Sequence, residues 1–275
     1  MPELPEVETI KNELTPHIIG RTVTNVTLFW EGIVRQPTVT EFRSRLIGRE
    51  ITNVTRRGKY LLVSLNSHEW LIIHLKMSGA LLVRPDSSEP PRFTRAIIHL
   101  DNSTRVFFRD PRKFGLMRLV RETASIVGKL GPEPLEPGFT SPLLSQRLNK
   151  RSAPLKALLC DQKVIAGIGN MYADETLFLA RIHPLRAGGN LSPKEIKCLH
   201  RAIRQVLQTA IKNKGASIEN YLRPDETPGT AHLEFMVARQ PGKPCSRCGE
   251  PIERITVRNR GTYFCPECQK ENDSQ

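Results

Sequence analysis

From Pro5 to about Ile18, apolar side chains recur at Val7, Ile10, Leu14 and Ile18 with polar residues between them. That spacing predicts a helix with one buried face. Beyond Thr22 the texture changes to short runs rich in Val, Ile, Thr and Leu, among them Thr22–Leu28, Tyr60–Leu65, Trp70–Leu75, Ala96–Leu100 and Thr104–Phe108. Turn formers such as Asn66-Ser67 and Asp101-Asn102 separate several of these runs, which up to Val120 read as an antiparallel sandwich or barrel. Thr38 to Leu46 is the one plausible helix in this half. The proline-rich run Gly131 to Gly138 removes backbone donors and blocks helix, so it reads as a linker. Helical patterns follow at Leu155–Leu159, Tyr172–Ala180 and Ser192–Asn213, the last opened by Ser192-Pro193-Lys194-Glu195, a helix start signal. Periodicity fades from Gly215 to Pro241 in a polar stretch that predicts a long mobile loop.

The chain is therefore α+β in class. Its expected domains are a β-rich unit over residues 1–130, a linker over 131–140, a helical unit over 141–240 and a ribbon over 241–270, with a tail at 271–275. No run approaches the about 20 apolar residues of a membrane helix. Met-Pro-Glu-Leu-Pro-Glu lacks the basic and apolar regions of a signal peptide, so a cytoplasmic protein is expected, with nothing to suggest more than a monomer.

Charge sharpens the picture. The 275 residues hold 41 Lys plus Arg against 28 Asp plus Glu, a net +13. This balance favours an anionic partner, nucleic acid first and an acidic membrane surface second. Six cysteines divide into two kinds. Cys160 and Cys198 lie singly in helical stretches and read as small core residues. Cys245, Cys248, Cys265 and Cys268 form two C-x2-C pairs at zinc-ribbon spacing. Four thiolates complete a closed tetrahedron, which predicts one structural Zn2+ and no open catalytic position. Two disulfides are the alternative, disfavoured in a reducing compartment.

Several short constellations can carry chemistry. Removal of Met1 would leave Pro2 as a secondary amine, able to attack a carbonyl-like carbon and form a Schiff base. Glu3, Glu6 and Glu8 crowd beside it in an otherwise basic chain. Acidic groups also favour a helix N-terminus; for Glu8 that reading is preferred, and for Glu3 and Glu6 both stay open. Lys59, after Arg56-Arg57-Gly58, is either a projected reactive amine or part of a solvated basic rim. Arg109 to Gly115 combines cations with Phe114, so it can hold phosphates and wedge between bases, with Met77 as a second wedge or simple packing. Gly167-Ile168-Gly169-Asn170 precedes a helix whose start can face a phosphate, within reach of Lys156. It lacks the spacing of a dinucleotide fingerprint or P-loop, and no redox or nucleotide cofactor is expected. Arg258 to Thr262 would form a basic finger between the cysteine pairs.

These motifs run in order over nearly the whole chain: Pro2 to Glu8, Gly58-Lys59-Tyr60, His74 to Gly79, Asp110 to Gly115, Gly167 to Glu175, and the four-cysteine ribbon with Arg260-Gly261-Thr262. Together they resemble the bacterial formamidopyrimidine-DNA glycosylases, base-excision repair enzymes for oxidised purines. The resemblance implies an N-terminal helix and β-sandwich, then a helix–two-turn–helix domain with a lid at about 215–240 and a zinc finger. It also implies a cytoplasmic, nucleoid-associated enzyme acting on double-stranded DNA that carries oxidised bases or abasic sites. Carried over by motif, Pro2 is the Schiff-base nucleophile, Glu3 the proton donor and acceptor, Lys59 a proton donor for elimination and Glu6 an organiser of the site. Met77, Arg112 and Phe114 become the intercalating trio. Lys156, Asn170 and Arg260 become phosphate grips, Arg260 also a proton donor for δ-elimination. The run Phe235-Met236-Val237-Ala238-Arg239-Gln240 departs from the usual Val-Tyr-Gly-Arg type, which bears on base preference. Two alternatives remain. One is an endonuclease VIII-type glycosylase for oxidised pyrimidines, whose usual start has Gly where this chain has Leu4. The other is a non-catalytic zinc-ribbon binder of damaged DNA, which needs none of Pro2, Glu3 and Lys59.

Overall fold

The computed structural model describes residues 2–271; Met1 and the tail from residue 272 on lie outside the described residues. The chain divides into two compact units, residues 1–129 with 211–232, and Leu130–Ala210 with the residues from Leu233 onward.

In the first unit, α1 spans Leu4–Ile18 and buries Val7, Ile10, Leu14 and Ile18 along one face, as the spacing predicts. It lies against β3 (Ile51–Arg57) and β4 (Tyr60–Leu65). Those strands belong to a five-stranded sheet ordered β2-β9-β5-β4-β3, with β2 at Val34–Gln36, β5 at Trp70–His74 and β9 at Leu116–Val120. All its pairs are antiparallel except β2 with β9. A second sheet, fully antiparallel, runs β1-β7-β8-β6, with β1 at Val23–Leu28, β6 at Ala80–Pro85, β7 at Thr94–Leu100 and β8 at Thr104–Arg109. One apolar cluster runs from α1 through both sheets, including Leu61, Val63, Ile73, Leu81, Ile98 and Phe108. Helix α2 (Val39–Leu46) confirms the helix expected at Thr38–Leu46 and opens on a capping box, with Thr38 Oγ1 accepting from Glu41 N.

Side chains alternate across a strand, so the second sheet also turns Ala80, Leu82, Ile97 and Phe107 outward, where Leu222 packs against them. Tyr221 is 5% exposed and joins the main core. This explains why 211–232 belongs to the first unit and not to the helical one. The segment is no free loop. Arg223 makes a two-pronged ion pair with Glu13, with Nη2 2.7 Å from Oε1 and Nε 3.0 Å from Oε2. Arg84 grips Glu226 in the same way, and Val83 N donates to Pro224 O. Polar composition concealed these anchors, because their partners lie far away in sequence.

A short helix α3 (Ala124–Val127) ends the leading segment of the first unit, and the second unit then holds α4 (Ser141–Leu148), α5 (Leu155–Cys160) and α6 (Asn170–Ala180). Helix α7 (Pro193–Lys212) buries Ile196, Leu199, Ala202, Ile203, Leu207 and Ala210 on one face. Its start is capped as expected, Ser192 N donating to Glu195 Oε2 and Glu195 N to Ser192 Oγ. Cys160 is buried, but Cys198 is exposed, because it falls on the polar face of α7. The run at 131–139 is fastened to this unit: Gly131 N donates to Gln162 O, and Arg204 Nη1 to the carbonyls of Pro134 and Glu136. A hairpin of β10 (Glu253–Val257) and β11 (Arg260–Phe264) completes the unit. No helix among the described residues is long and apolar enough to cross a membrane.

Candidate active site

Pro2 is buried immediately before α1. Glu3 and Glu6 are each 1% exposed and form a capping box, in which Glu6 Oε2 accepts from Glu3 N at 2.7 Å. Helix capping therefore accounts for part of this acidic cluster. Glu6 does more, because Oε1 accepts from Ala216 N at 2.8 Å and ties the chain start to the 215–230 segment. Gly215 makes this approach possible: its φ is +78°, and a Cβ there would lie 2.9 Å from Glu6 Cγ.

Glu8 has a structural role. Burial pushes its carboxyl up, but bonds from Lys11 and Arg56 outweigh that and hold it below the usual carboxylate range. Arg56 Nε lies 2.6 Å from Glu8 Oε2, while Arg56 Nη1 donates to Gly58 O. The bond fixes the β3–β4 turn to the first helix. Arg57 pairs with Tyr60, which leaves Gly58-Lys59 as a two-residue loop, and Gly58 has a φ of +56°. A glycine at the first central position suits a type II′ hairpin. Lys59 is only 7% exposed, so it is no solvated rim.

His74, at the end of β5, is a group that spacing did not single out. Tyr60 meets its ring edge-on at 4.5 Å, and its Nδ1 accepts from Lys76 N at 2.9 Å. Burial first, then the charges of Lys76 and Lys59, push the imidazole down to about 3, so it is neutral beside Lys59. Met77 and Phe114 are 42% and 46% exposed on two neighbouring loops, and the Arg112 guanidinium sits 4.7 Å from the Phe114 ring centre. Both loops project large apolar tips despite the cost of exposing them.

In the second unit, Gly169 is the N-cap of α6, and Gln162 braces the loop before it by accepting from Gly167 N and donating to Ile168 O. Asn170 Nδ2 donates to Gly261 O, joining the helix start to the hairpin at 2.8 Å. Arg258 and Asn259, with φ of +47° and +61°, form the hairpin tip, next to exposed Arg260. Lys156 departs from the expectation of a direct phosphate grip. It is 0% exposed and donates to Asn170 O at 2.5 Å and Asp174 Oδ1 at 2.6 Å. Its charge is spent on holding α6 in place. Glu175 accepts from the amides of Met236, Val237 and Ala238 and so anchors the stretch before the ribbon. A helical carboxylate followed by another carries no signal of such distant partners.

The sulfur atoms of Cys245, Cys248, Cys265 and Cys268 all lie within 4.8 Å of one another. Sulfurs in a tetrahedral zinc site with bonds of about 2.3 Å stand roughly 3.8 Å apart, and the Cys245–Cys268 pair stands at 3.9 Å. The four residues fit one structural zinc ion.

The chain matches the formamidopyrimidine-DNA glycosylase N-terminal domain over residues 1–117, the H2TH domain of the same enzymes over 130–221, and the zinc finger found in FPG and IleRS over 242–270. It is 48% identical over 272 residues to the formamidopyrimidine-DNA glycosylase of Chloroflexus aurantiacus, covering 98% of each chain. The chain belongs to the formamidopyrimidine-DNA glycosylase family. Among solved structures it is similar to MutM (Fpg) of Thermus thermophilus, with a TM-score of 0.89 and 40% identity over 99% of this chain and 100% of that one. A Lactococcus lactis Fpg mutant in complex with Fapy-dG-containing DNA matches with a TM-score of 0.91 and 34% identity, over 98% and 100% of the two chains.

Proposed function

We propose that the protein is a bifunctional DNA glycosylase and abasic-site lyase of base-excision repair, removing oxidised purines such as 8-oxoguanine and formamidopyrimidines from double-stranded DNA. The observation that carries this reading is the buried set Pro2, Glu3, Glu6 and Lys59 in a chain of net +13. Phosphate binding alone has no use for acidic groups at such a place. The names of its relatives, and the Fapy-dG in the Lactococcus lactis complex, support the purine substrate.

In this reading the damaged nucleotide leaves the stack, because its sugar carbon is inaccessible within the duplex. With Met1 removed, the Pro2 nitrogen attacks C1′, the glycosidic bond breaks, and the base departs with a proton. Glu3 supplies and accepts protons at the sugar and the leaving base. As the ring oxygen O4′ leaves with a proton, the C1′–N bond becomes an iminium that acidifies C2′. Loss of a C2′ proton expels the 3′ phosphate, and loss of the C4′ proton through the conjugated iminium then expels the 5′ phosphate. Lys59 and Arg260 donate protons to these leaving groups, while Glu6 holds Glu3 and the 215–230 segment in register. Met77, Arg112 and Phe114 fill the vacated space, and Asn170 and Arg260 grip phosphates on a frame braced by Lys156. The zinc ion keeps the finger folded and takes no part in the chemistry. The protein acts as a monomer in the bacterial cytoplasm, on the nucleoid. Residues 1–129 with 211–232 would form the catalytic unit, and Leu130–Ala210 with the finger at 241–270 the DNA-binding unit.

Borohydride reduction on an oligonucleotide with one 8-oxoguanine opposite cytosine tests the assignment. A covalent adduct is expected with the native chain and none when Pro2 is replaced or Met1 retained. An equal adduct from the Pro2 variant would sink the nucleophile, and trapping only on oxidised pyrimidines would move the substrate class.

A further inference from the structure

Asp110 is 0% exposed and makes no ion pair among the described residues. Burying a carboxylate costs a great deal unless donors surround it. Here Oδ1 accepts from Ser78 Oγ at 2.5 Å and from Arg112 N at 3.2 Å, and Oδ2 accepts from Gly115 N at 2.7 Å. These donors come from two different loops. Ser78 adjoins the exposed Met77, while Arg112 and Gly115 flank the loop that presents Phe114.

Both loops are tightly wound. Lys76 and Lys113 adopt φ of +55° and +59°, a conformation rare for residues with a side chain. A Cβ on Gly115 would lie 2.5 Å from Phe108 Cζ and 3.1 Å from Asp110 Oδ2, so the second loop can sit on the carboxylate only with glycine there. The backbone of Asp110 is held as well: its N–H donates to Phe93 O, and its carbonyl accepts from Arg95 Nε at 2.7 Å. A single buried side chain, its backbone held by Phe93 and Arg95, thus links the two exposed tips.

We infer that Ser78 and Asp110 form a strut that sets the Met77 and Phe114 loops at a fixed separation, making both positioning residues for base extrusion and for reading the opposite base. The inference rests on the intercalating role proposed above for Met77, Arg112 and Phe114. Filling one vacated position in a duplex needs several tips to arrive together, and loops set independently would meet it only part of the time. A single-stranded substrate has no opposite base and no duplex stack to hold open, so it does not call on the strut.

Ser78→Ala and Asp110→Asn are to be compared with the native chain on three substrates: duplex 8-oxoguanine opposite cytosine, the same lesion opposite adenine, and an abasic site in single-stranded DNA. Both variants are expected to lose about tenfold or more in kcat/KM on the cytosine duplex, as for one charge-assisted hydrogen bond. The ratio between cytosine and adenine duplexes should narrow, while cleavage of the single strand keeps the native rate. Ser78→Ala removes only a hydroxyl and decides the matter if Asp110→Asn does not fold. Equal losses on all three substrates, or no loss on the duplexes, would overturn the strut alone. A native chain that cleaves none of them would overturn the proposed function and the strut with it.

Discussion

His74 shows how one residue's environment reaches the measurable behaviour of the fold. Its imidazole is held neutral down to about 3, whereas in the unfolded chain it titrates at 6.5. Between these values the unfolded chain binds a proton that the native state refuses, so stability falls as pH drops below 6.5. The slope is about 1.4 kcal/mol per pH unit for one such group. Denaturant titrations between pH 4 and 6.5 should show a flatter profile for His74→Asn, which keeps an acceptor for Lys76 N. An unchanged slope would mean that the native imidazole accepts the proton. The same scale separates Lys156 from Lys59. Both lysines are buried, but the Lys156 ammonium is taken up by Asp174 and the Asn170 carbonyl. Sequence alone shows two lysines and cannot tell which of them is taken up as a brace.

Among the elements, the 215–230 segment departs furthest from its polar, aperiodic sequence. It is fixed by Glu6 at its start, by Tyr221 and Leu222 on apolar surfaces, and by Arg223 and Glu226 through ion pairs. Gly215 is its critical hinge. In Gly215→Ala the new methyl collides with Glu6 and Tyr221, and a displacement of about 1 Å carried to the groups proposed for the chemistry can cost roughly 100-fold in rate. Gly20→Ala supplies the control, since Gly20 has a φ of +70° with nothing within 4 Å. Both variants should lower the melting temperature, but only Gly215→Ala should reduce base excision at least tenfold. Similar excision rates in the two variants would count against the Glu6 contact. Elsewhere the elements were plain to read: α1, α2, β4 and α7 follow from periodicity and caps. Helix α4 was not, because eight residues after a proline-rich run give too short a pattern.

For the molecule as a whole, the charge of +13 is the property most directly tied to its partner. Arg56, Arg84, Lys156 and Arg223 are matched by acidic partners and add nothing to this excess, which lies with the other cations. Exposed cations such as Arg260 remain to meet phosphates. Arg260→Ala should weaken binding to duplexes of any sequence and reduce the slope of log affinity against log salt by about 1. Fluorescence anisotropy at several salt concentrations measures this, and an unchanged slope would remove Arg260 from the phosphate contacts.

Fold class, the helices α1, α2 and α7 and the zinc site were determined by the sequence, because each rests on local spacing: apolar period, cap residues and cysteine pairs. The reaction type followed from the motifs shared with the family. Tertiary structure decided which unit holds 211–232, which lysine is a brace, and that Glu6, Asp110 and Glu175 each join distant segments. Such roles depend on burial and on hydrogen bonds between residues far apart in the chain, and a buried carboxylate looks the same in sequence as a solvated one.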